Sequence, residues 1–455
     1  MWQEGTHCLR LQRHKKLIGY ARLDVWVPRL GGEPLAPRRR VLTPIQEAQV
    51  HQQALRWLEQ KVIEPIQTLP WCNNLVLVAK KDGRIRVCVD CTPSNDVTED
   101  FNWPLPRLQD LRYVIRGQSW FSRIDLKDAF FRIKVPREYR HLTAFRCNNQ
   151  TFQFTRMPFG LKTAPSTFQR FMDWGLASCA GWAYWYMDDI LIAADSADLL
   201  ASREREVRRR LHDMQCNVNE EKSVSHRQQL LFAGLWVMGA GVGPNLTKLR
   251  ELARIPPPTN KAEAQSALGL VSYLRDFVPL IGHFTSMLYP DKHGLRLDPE
   301  NYAEQWNKLM RHVMSACTIN HHWSDNHPAD LYTDASQFAL GVIALQDQRI
   351  VAVASRKLSP AETRYSATDR EHLGLVFAAR KFRLILHREG VDTRVWSDHS
   401  ALLTRRKEEL TPRQSRWNEI VTHWIPGLRH VKGKENPADF VSRWRVNSVG
   451  AEIRA

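Results

Sequence analysis

Long apolar runs, dense cysteine and repeated or low-complexity segments are all missing from this chain of 455 residues. No stretch approaches the roughly 18 apolar residues of a membrane-spanning helix, and the first twenty residues lack the apolar core of a secretory signal. The 8 cysteines are scattered, which is typical of a reduced intracellular protein and not of a disulfide framework. These absences exclude a small disulfide scaffold and a collagen-like fibre, and we expect no membrane partner.

Acidic residues are the minority charge, since 48 Asp and Glu stand against 65 Lys and Arg, a net charge of +17. The excess indicates a polyanionic partner, with nucleic acid as the first candidate and an anionic membrane surface as the second. The hydrophobic fraction of 43% is ordinary for a soluble globular protein. At roughly 100–200 residues per domain, the length predicts several domains.

The N-terminal part of the chain predicts a basic arm followed by a helix. Residues 1–42 are rich in arginine and lysine, and are interpreted either as a solvated extension or as a nucleic-acid contact. Thr43, Pro44 and Gln46 then form a helix-start signal, because threonine caps, proline suits the first helical position and glutamine completes a capping box.

Further along, local patterns predict a hairpin and then a change of domain. The apolar runs 75–79 and 85–89 flank an Asp-Gly turn, which favours a β-hairpin. Strand and helix signals alternate to about residue 238, until three consecutive prolines break the chain before a helix capped by Asn260. A new pattern of strands and helices begins at Ala329, which indicates a separate domain.

One set of carboxylates is predicted to converge near the middle of the chain. Asp188 and Asp189 lie between two apolar strand-like runs, as at the tip of a hairpin, and Asp125 ends an earlier strand-like run. One acid at a strand end and two on a hairpin can hold a pair of divalent cations. Phosphoryl transfer uses two Mg²⁺ ions about 3.5–4 Å apart, and Mg²⁺ prefers carboxylate oxygens, water and phosphate.

These residues belong to a series of ordered motifs that resembles reverse transcriptases, most closely those of gypsy-like LTR retrotransposons and related retroelements. Residues 186–189, with Asp125 upstream, look like the metal-binding palm motif. The resemblance covers roughly residues 45–445. The other segments that match in order are 77–90 (fingers), 101–106 (approach to the palm), 157–161 with 164–168 (incoming nucleotide), 232–234 (primer grip) and 268–277 (thumb).

The resemblance implies roles at matching positions. Asp125, Asp188 and Asp189 would bind the catalytic metals. The other matching positions, which would bind substrate, are Lys80 and Arg86 (the triphosphate), Phe130 (a steric gate against a ribose 2′-OH), and Phe159 and Gly160 (the floor of the nucleotide pocket).

Alternatives stay open for some of these residues, and the sequence departs from the family pattern in places. Lys80 and Arg86 could line an exposed hairpin face, and Phe130 could be a core residue. Segment 73–75 lacks a proline usual in the family, and Ala233 replaces a bulkier apolar residue. Segment 128–130 is closer to pararetroviruses and tyrosine-recombinase elements, which leaves the subfamily open but not the metal ligands.

A second set of acids occupies comparable positions in the C-terminal region. Asp334 and Asp398 each end a strand-like segment, Glu371 lies in a helix that begins near Ser366, and Asp439 lies in a short helix after Asn436-Pro437. Four acids at strand ends and on helix faces again suit a two-metal site. The helix with Glu371 is expected to continue through Leu386 and to stop at Gly390.

The second set resembles an RNase H domain, with motifs 333–336, 370–373, 397–399 and 436–439 in order. The resemblance implies that Asp334, Glu371, Asp398 and Asp439 are metal ligands. Contact with the 2′-OH would distinguish RNA from DNA. His399 is either a catalytic assistant or a structural hydrogen-bonding residue, and Ala339 stands where relatives often have glycine.

The sequence therefore predicts an α+β right-hand polymerase (fingers, palm, thumb) followed by an RNase H-like α/β domain. The predicted parts are 1–42 (basic N-terminal extension), 43–243 (fingers and palm), 244–290 (thumb), 291–327 (short linker or thumb extension), 328–445 (RNase H domain) and 446–455 (C-terminal tail).

The expected function is RNA- and DNA-directed DNA synthesis plus cleavage of the RNA strand of hybrids, with two Mg²⁺ (or Mn²⁺) ions per site. Expected partners are an RNA template, a DNA primer, an RNA/DNA hybrid and dNTPs, with a homodimer on substrate as one arrangement. By analogy with relatives the protein would act in the cytoplasm, within virus-like particles, or in the nucleus. The alternatives are a domesticated or degenerate nucleic-acid-binding protein, and an RNase H with an inactive polymerase.

Overall fold

The computed structural model describes residues 24–25, 28, 31–32, 40–67, 72–79, 85–107, 110–324, 326–386, 392–404, 410–425 and 427–437. The predicted residues Lys80, Gly390 and Asp439, most of the 1–42 extension and the 446–455 tail lie outside the described residues. The chain divides into two units, the first formed by 1–114 and 118–228 and the second by 115–117 and 229–455. No helix among the described residues combines the length and apolarity needed to cross a bilayer.

The first unit combines helices with short, mostly antiparallel strands. Its helices are α1 (Pro44–Glu59), α2 (Thr92–Val97), α3 (Leu111–Ile115, ending in the second unit), α4 (Ala164–Gly175) and α5 (Ala197–Asp213). Its strands are β1 (Ile63–Pro65), β2 (Asn74–Ala79), β3 (Ile85–Asp90), β4 (Trp120–Asp125), β5 (Phe145–Cys147), β6 (Gln150–Phe154), β7 (Ala183–Tyr186), β8 (Asp189–Ala194) and β9 (Val224–Arg227).

Two local predictions for this unit are confirmed. The Thr43 side chain accepts a hydrogen bond from the backbone N–H of Gln46, and the Gln46 side chain accepts one from Thr43, so the capping box of α1 is complete. Strands β2 and β3 pair as the predicted antiparallel hairpin. The remaining described strands form sheets in the orders β1-β6-β5 and β7-β8-β4-β9.

The sheet β7-β8-β4-β9 is fastened to α5 by a buried carboxylate. Glu204 of α5 accepts hydrogen bonds from the hydroxyls of Ser122 at 2.8 Å and Ser225 at 2.9 Å, and from Arg208 at 2.9 Å. Burial opposes ionisation, but these hydrogen bonds outweigh it and lower the pKa of Glu204. The bonds therefore tie the helix to β4, whose last residue is Asp125.

The second unit contains two larger sheets with their helices. Its helices are α6 (Leu246–Ala253), α7 (Lys261–Tyr273), α8 (Ile281–Thr285), α9 (Pro299–Ala316), α10 (Ala367–Lys381), α11 (Arg383–Leu386), α12 (Ala401–Thr404) and α13 (Pro412–Trp424). Its strands are β10 (Gln229–Phe232), β11 (Leu235–Met238), β12 (Gly241–Pro244), β13 (Asn320–His321), β14 (Ala329–Ala335), β15 (Ala339–Gln346), β16 (Arg349–Lys357), β17 (Thr393–Ser397) and β18 (Leu428–His430).

The sheet β10-β11-β12-β13 brings the predicted 291–327 segment against the preceding hairpins. Strand β13 pairs with β12 so closely that a Cβ on Gly241 would lie 2.1 Å from the Asn320 carbonyl oxygen, and only glycine fits there. The indole of Trp306 on α9 donates to the Ile255 carbonyl at 3.2 Å. The 291–327 segment is therefore packed structure, with a helix where the sequence predicts one.

The sheet β16-β15-β14-β17-β18 is antiparallel from β16 to β14 and parallel from β14 to β18. Leu331 and Val342 pack in one core with Leu375 of α10, so α10 covers one face. Neighbouring strand residues point to opposite faces. Gly341, beside Val342, faces Leu280 at the start of α8, so α8 covers the other face.

One helix prediction was wrong in its extent. Helix α10 begins after Ser366 as predicted, but it ends at Lys381, and α11 is a separate short helix. Phe382 leaves helical geometry with φ −113° and ψ 30°. After the break, Phe382, Ile385 and Leu386 are all buried in the core beneath the sheet. Burial of these apolar side chains therefore stabilises the broken helix more than a continuous helix would be stabilised by its backbone hydrogen bonds.

Candidate active sites

The tip of the β7–β8 hairpin presents two adjacent acids in the first unit. Tyr186 pairs with Asp189, so Met187 and Asp188 form a two-residue connection. Met187 has φ 55°, the left-handed conformation that such tight turns require. Asp188 is exposed at the tip, and Asp189 begins β8.

The third predicted acid lies directly across the sheet. Asp125, the last residue of β4, pairs with Asp189 in the antiparallel register. The N–H of the next residue, Leu126, donates to the Asp188 carbonyl at 3.1 Å. Directly opposed residues have Cβ atoms about 4.5–5.5 Å apart, so the fold brings Asp125, Asp188 and Asp189 together.

Two cations that the sequence interpretation missed stand beside these acids. Lys222 Nζ lies 3.9 Å from Asp125 Oδ1, and Arg123 Nε lies 3.8 Å from Asp189 Oδ1. Desolvation and then the Asp125 charge raise the pKa of Asp188, and Lys222 is among the groups that oppose the rise. Lys222 therefore offsets only part of the combined effect of desolvation and the Asp125 charge on Asp188.

This arrangement fits a divalent cation. Among the described residues, no group of three or more His, Cys, Asp or Glu side chains is placed so that it alone could hold a metal ion. Mg²⁺, however, is usually held by one or two carboxylates plus water and substrate phosphates, not by a complete protein cage. Desolvation is the main cause of the raised pKa of Asp188, and the Asp125 charge adds to it. A bound cation would relieve the repulsion between the two carboxylates.

The predicted nucleotide-binding residues are also neighbours. The rings of Phe130 and Phe159 lie 4.9 Å apart, and the Arg86 guanidinium lies over Phe159 at 5.7 Å. Phe130 also contacts buried Phe168 at 5.6 Å, so one edge of its half-exposed ring packs against the core. Both interpretations of Phe130 therefore describe part of its environment, and its gate role stays a prediction.

Gly160 adopts a conformation that favours glycine. Its φ is 106°, and an added Cβ would lie 2.9 Å from the Val89 carbonyl oxygen. Its own carbonyl accepts a hydrogen bond from the Asn95 side chain at 2.8 Å. The backbone at this exposed position is thus held close to the end of β3.

A hydrogen-bonded chain in the first unit supports the acidic turn, and the sequence interpretation did not find it. Gln169 of α4, fully buried, accepts a hydrogen bond from the Met187 N–H at 2.8 Å and donates to Asp173 at 2.8 Å. Asp173 also accepts from the indoles of Trp103 at 2.6 Å and Trp185 at 2.7 Å. Helix α4 therefore fixes the turn that presents Asp188.

Replacing Gln169 with leucine is expected to lower the rate of primer extension about tenfold without affecting cleavage of an RNA/DNA hybrid. The change leaves the Met187 N–H without its acceptor, which costs about 1–3 kcal/mol, and roughly 1.4 kcal/mol corresponds to tenfold in rate. Single-turnover extension measures the effect. Gln52→Leu, on the exposed side of α1, is the control. A full extension rate for Gln169→Leu would contradict this role.

In the second unit, two predicted acids lie side by side on parallel strands. Tyr332 of β14 pairs with Trp396 of β17. Asp334 lies in β14 two residues after Tyr332, and Asp398 directly follows the last residue of β17, two residues after Trp396. Paired strands lie about 4.8 Å apart, so the two acids come to the same end of the sheet, where the charges of both act on Glu371.

Glu371 reaches the same place from α10. The backbone N–H of Asp369 donates to the Ser366 side chain at 3.1 Å, which sets the start of the helix. Burial, followed by the charges of Asp334 and Asp398, raises the pKa of Glu371 to about 8. Its Oε2 is buried without a hydrogen-bond partner. This unpartnered carboxylate oxygen, close to the charges of Asp334 and Asp398, is available to a divalent cation.

The segment before the fourth predicted ligand is anchored beside Asp334. Asn436 is fully buried, and its side chain donates to the Thr333 carbonyl at 3.1 Å. His399 has a structural partner, since its Nε2 lies 3.0 Å from the Thr368 hydroxyl. The position of Asp439 itself lies outside the described residues, and its role as a ligand stays a prediction.

Comparison with known families finds two separate matches, and each contains one of the two clusters of acids. Residues 78–237 match the family described as reverse transcriptase (RNA-dependent DNA polymerase). Residues 324–424 match the RNase H-like domain found in reverse transcriptase. The predicted domain limits are not tested by these ranges and stay predictions.

Relatives and solved structures point the same way. The Tf2-3 and Tf2-7 transposon polyproteins of Schizosaccharomyces pombe are each 28% identical over 397 residues, covering 85% of this chain. The chain spans 30% of the length of these polyproteins. A foamy viral protease-reverse transcriptase in complex with double-stranded DNA has a TM-score of 0.76 at 19% identity, covering 89% of this chain and 73% of that one.

A second foamy viral protease-reverse transcriptase structure, in complex with an RNA/DNA hybrid, has a TM-score of 0.73 at 18% identity, covering 89% of this chain and 56% of that one. These likenesses confirm the predicted fold class, a polymerase hand followed by an RNase H-like domain. Domains of both kinds generally use divalent metals. Taken with the family matches, the findings show a reverse transcriptase domain over residues 78–237 and an RNase H-like domain over residues 324–424, in a chain similar to the polyproteins of LTR retrotransposons.

Proposed function

We propose that this chain copies RNA and DNA templates into DNA and cleaves the RNA strand of RNA/DNA hybrids. The main support is that each of the two units contains a separate cluster of acidic side chains. Asp125 lies opposite Asp189 beside Asp188, and the pKa of Glu371 is raised by Asp334 and Asp398. Two independent clusters of acids support two separate phosphodiester chemistries.

In the polymerase site, Asp125, Asp188 and Asp189 would hold two Mg²⁺ (or Mn²⁺) ions. When bound, such ions stabilise both the attacking and the leaving oxygen of an in-line displacement. Helix α4 holds the acidic turn through Gln169. Arg86, over Phe159, would bind the triphosphate of a dNTP, and Phe130 would disfavour a ribose 2′-OH at the nucleotide.

In the nuclease site, Asp334, Glu371 and Asp398, with Asp439, would hold a second pair of ions. The unpartnered oxygen of Glu371 and the like charges around it favour that occupancy over an empty site. The ions would supply an activated water and stabilise the leaving 3′ oxygen. Asp334 from β14, Asp398 from just after β17 and Glu371 from α10 would hold these ions.

The substrates follow from the same chemistry. The solved neighbours in complex with double-stranded DNA and with an RNA/DNA hybrid support nucleic-acid duplexes as ligands, as does the net charge of +17. An RNA template, a DNA primer and dNTPs complete the proposal. A homodimer on the substrate and a location in cytoplasmic virus-like particles or the nucleus stay predictions.

Two assays with the full chain test this function. We expect a labelled DNA primer to be extended on RNA and on DNA templates with dNTPs and Mg²⁺, and the RNA of a labelled hybrid to be cut. EDTA should stop both reactions, and Mn²⁺ should restore them. Binding without either reaction would favour a degenerate nucleic-acid-binding protein. Cleavage without extension would favour a nuclease with an inactive polymerase.

A further inference from the structure

Helix α8 and the residue before it dock on the RNase H-like sheet in the second unit. The N–H of Gly282 donates to the buried Ser355 hydroxyl of β16 at 3.0 Å. Leu280 has φ 55° and lies over Gly341 of β15, where an added Cβ would meet its Cδ2 at 2.2 Å. The docking therefore depends on a bare backbone at Gly341, the residue paired with Asp334.

This docking brings His283 to the nuclease acids. His283 Nε2 lies 3.5 Å from Asp334 Oδ2, and the two side chains are only 20% and 14% exposed. The backbone of His283 is held on both sides, because its N–H donates to the Leu280 carbonyl at 2.8 Å and its carbonyl accepts from the Ser286 hydroxyl at 2.8 Å.

Two buried polar atoms at this cluster have no hydrogen-bond partner, His283 Nε2 and Glu371 Oε2. Buried polar atoms are almost always paired in folded proteins, so each such exception calls for an explanation. A shift of about half an ångström would bring His283 Nε2 within hydrogen-bond distance of Asp334 Oδ2. Hydrogen bonds to ligating side chains fix their orientation.

The position in sequence explains why no motif reveals this residue. The RNase H-like match begins at residue 324, and α8 precedes it by a whole helix, α9. His283 is therefore outside the matched domain. Only the fold places it beside Asp334.

We propose that His283 is a positioning residue of the nuclease site, whose Nε2–H donates to Asp334 Oδ2 and fixes that carboxylate for a divalent cation. The proposal rests on the nuclease function proposed above. It means that a segment ahead of the RNase H-like domain completes the site. Loss of such a partner typically weakens metal affinity or activity 10–100-fold.

The test uses the full chain with His283→Ala and His283→Gln, because glutamine can place an N–H donor where histidine has Nε2. For His283→Ala, we expect the Mg²⁺ concentration at half-maximal hybrid cleavage to rise about tenfold or more. The glutamine variant should recover much of the loss. His327→Ala is the matched control, since His327 pairs with exposed Asp347 at 2.7 Å, away from the acids.

A second readout does not depend on cleavage. In a chain that also carries Asp188→Asn, Mn²⁺ binding by calorimetry should weaken about tenfold on His283→Ala at the nuclease site. Primer extension by the single variants should match the parent, which shows that the chain is folded. If His283→Ala also loses primer extension, the His283→Gln variant tests the role instead. Parent-like extension with weakened Mn²⁺ binding that is milder than in the alanine variant would support it, and parent-like Mn²⁺ binding in both variants would overturn it.

Other results would overturn the proposal. Unchanged Mg²⁺ dependence and Mn²⁺ affinity in His283→Ala would exclude the role. A raised KM for the hybrid with unchanged metal dependence would instead indicate direct contact with the nucleic acid. If the parent cuts no hybrid, the proposed nuclease function fails, whereas Mn²⁺ binding still tests the contact with Asp334.

Discussion

Asp188→Asn is expected to abolish primer extension and to leave hybrid cleavage at the parent rate. The substitution keeps the shape of the turn but removes one negative charge from a cluster in which Asp125 lies opposite Asp189. A bound cation contributes several kcal/mol of transition-state stabilisation, and roughly 1.4 kcal/mol corresponds to tenfold. The loss in rate should therefore be about a thousandfold or more.

Single-turnover extension of a labelled primer measures this loss, with hybrid cleavage followed in parallel. Asp195→Asn is the matched control, because Asp195 follows the opposite end of the same strand and is exposed. Extension at the parent rate by Asp188→Asn would remove this residue from the metal site. Loss of cleavage as well would indicate damage beyond the first unit.

Asp398→Asn is expected to give the reverse pattern, with hybrid cleavage lost and primer extension unchanged. Asp398 follows the end of β17, and its charge, with that of Asp334, helps to raise the pKa of Glu371. Asparagine would remove that charge and one ligand oxygen from the site. The expected loss is again about a thousandfold or more, for the same reason.

Cleavage of a hybrid labelled on its RNA strand, with excess enzyme, measures the second effect. Asp392→Asn is the control, because this exposed residue precedes the same strand and pairs only loosely with Arg429, at 3.4 Å. Cleavage that survives Asp398→Asn would contradict the assignment of the ligand set. Independent loss of one activity per variant is the pattern that two separate sites require.

Local sequence signals predicted helix starts and strand pairs correctly where these depend on residues close together in the sequence. The capping box at Thr43 and Gln46 and the antiparallel pairing of β2 with β3 formed as expected, because capping and the pairing of strands close in sequence depend on near neighbours. The predicted Asp-Gly turn between these strands lies outside the described residues. The helix from Ser366 was overextended, since burial of Phe382 and Leu386 broke it in favour of the core. Periodicity does not reveal such a break, as both halves keep apolar residues at helical spacing.

The sequence predicted the acids because they end strands or occupy a turn between apolar runs, and because ordered motifs accompany them. Their roles as ligands stay predictions. The groups that support them were not found. Gln169, Lys222 and His283 meet their partners Met187, Asp125 and Asp334 only through the fold. Each is an ordinary polar residue on a helix or loop, without a local pattern that marks it.

The sequence by itself thus predicted which residues would do the chemistry, and it determined the order of the two domains. Only the tertiary structure decided which distant residues support the acids, such as Gln169 on α4 and His283 on α8. The physical reason is that charge and turn propensity are properties of short segments of the chain. Hydrogen bonds and packing between distant segments depend instead on the fold that brings those segments into contact.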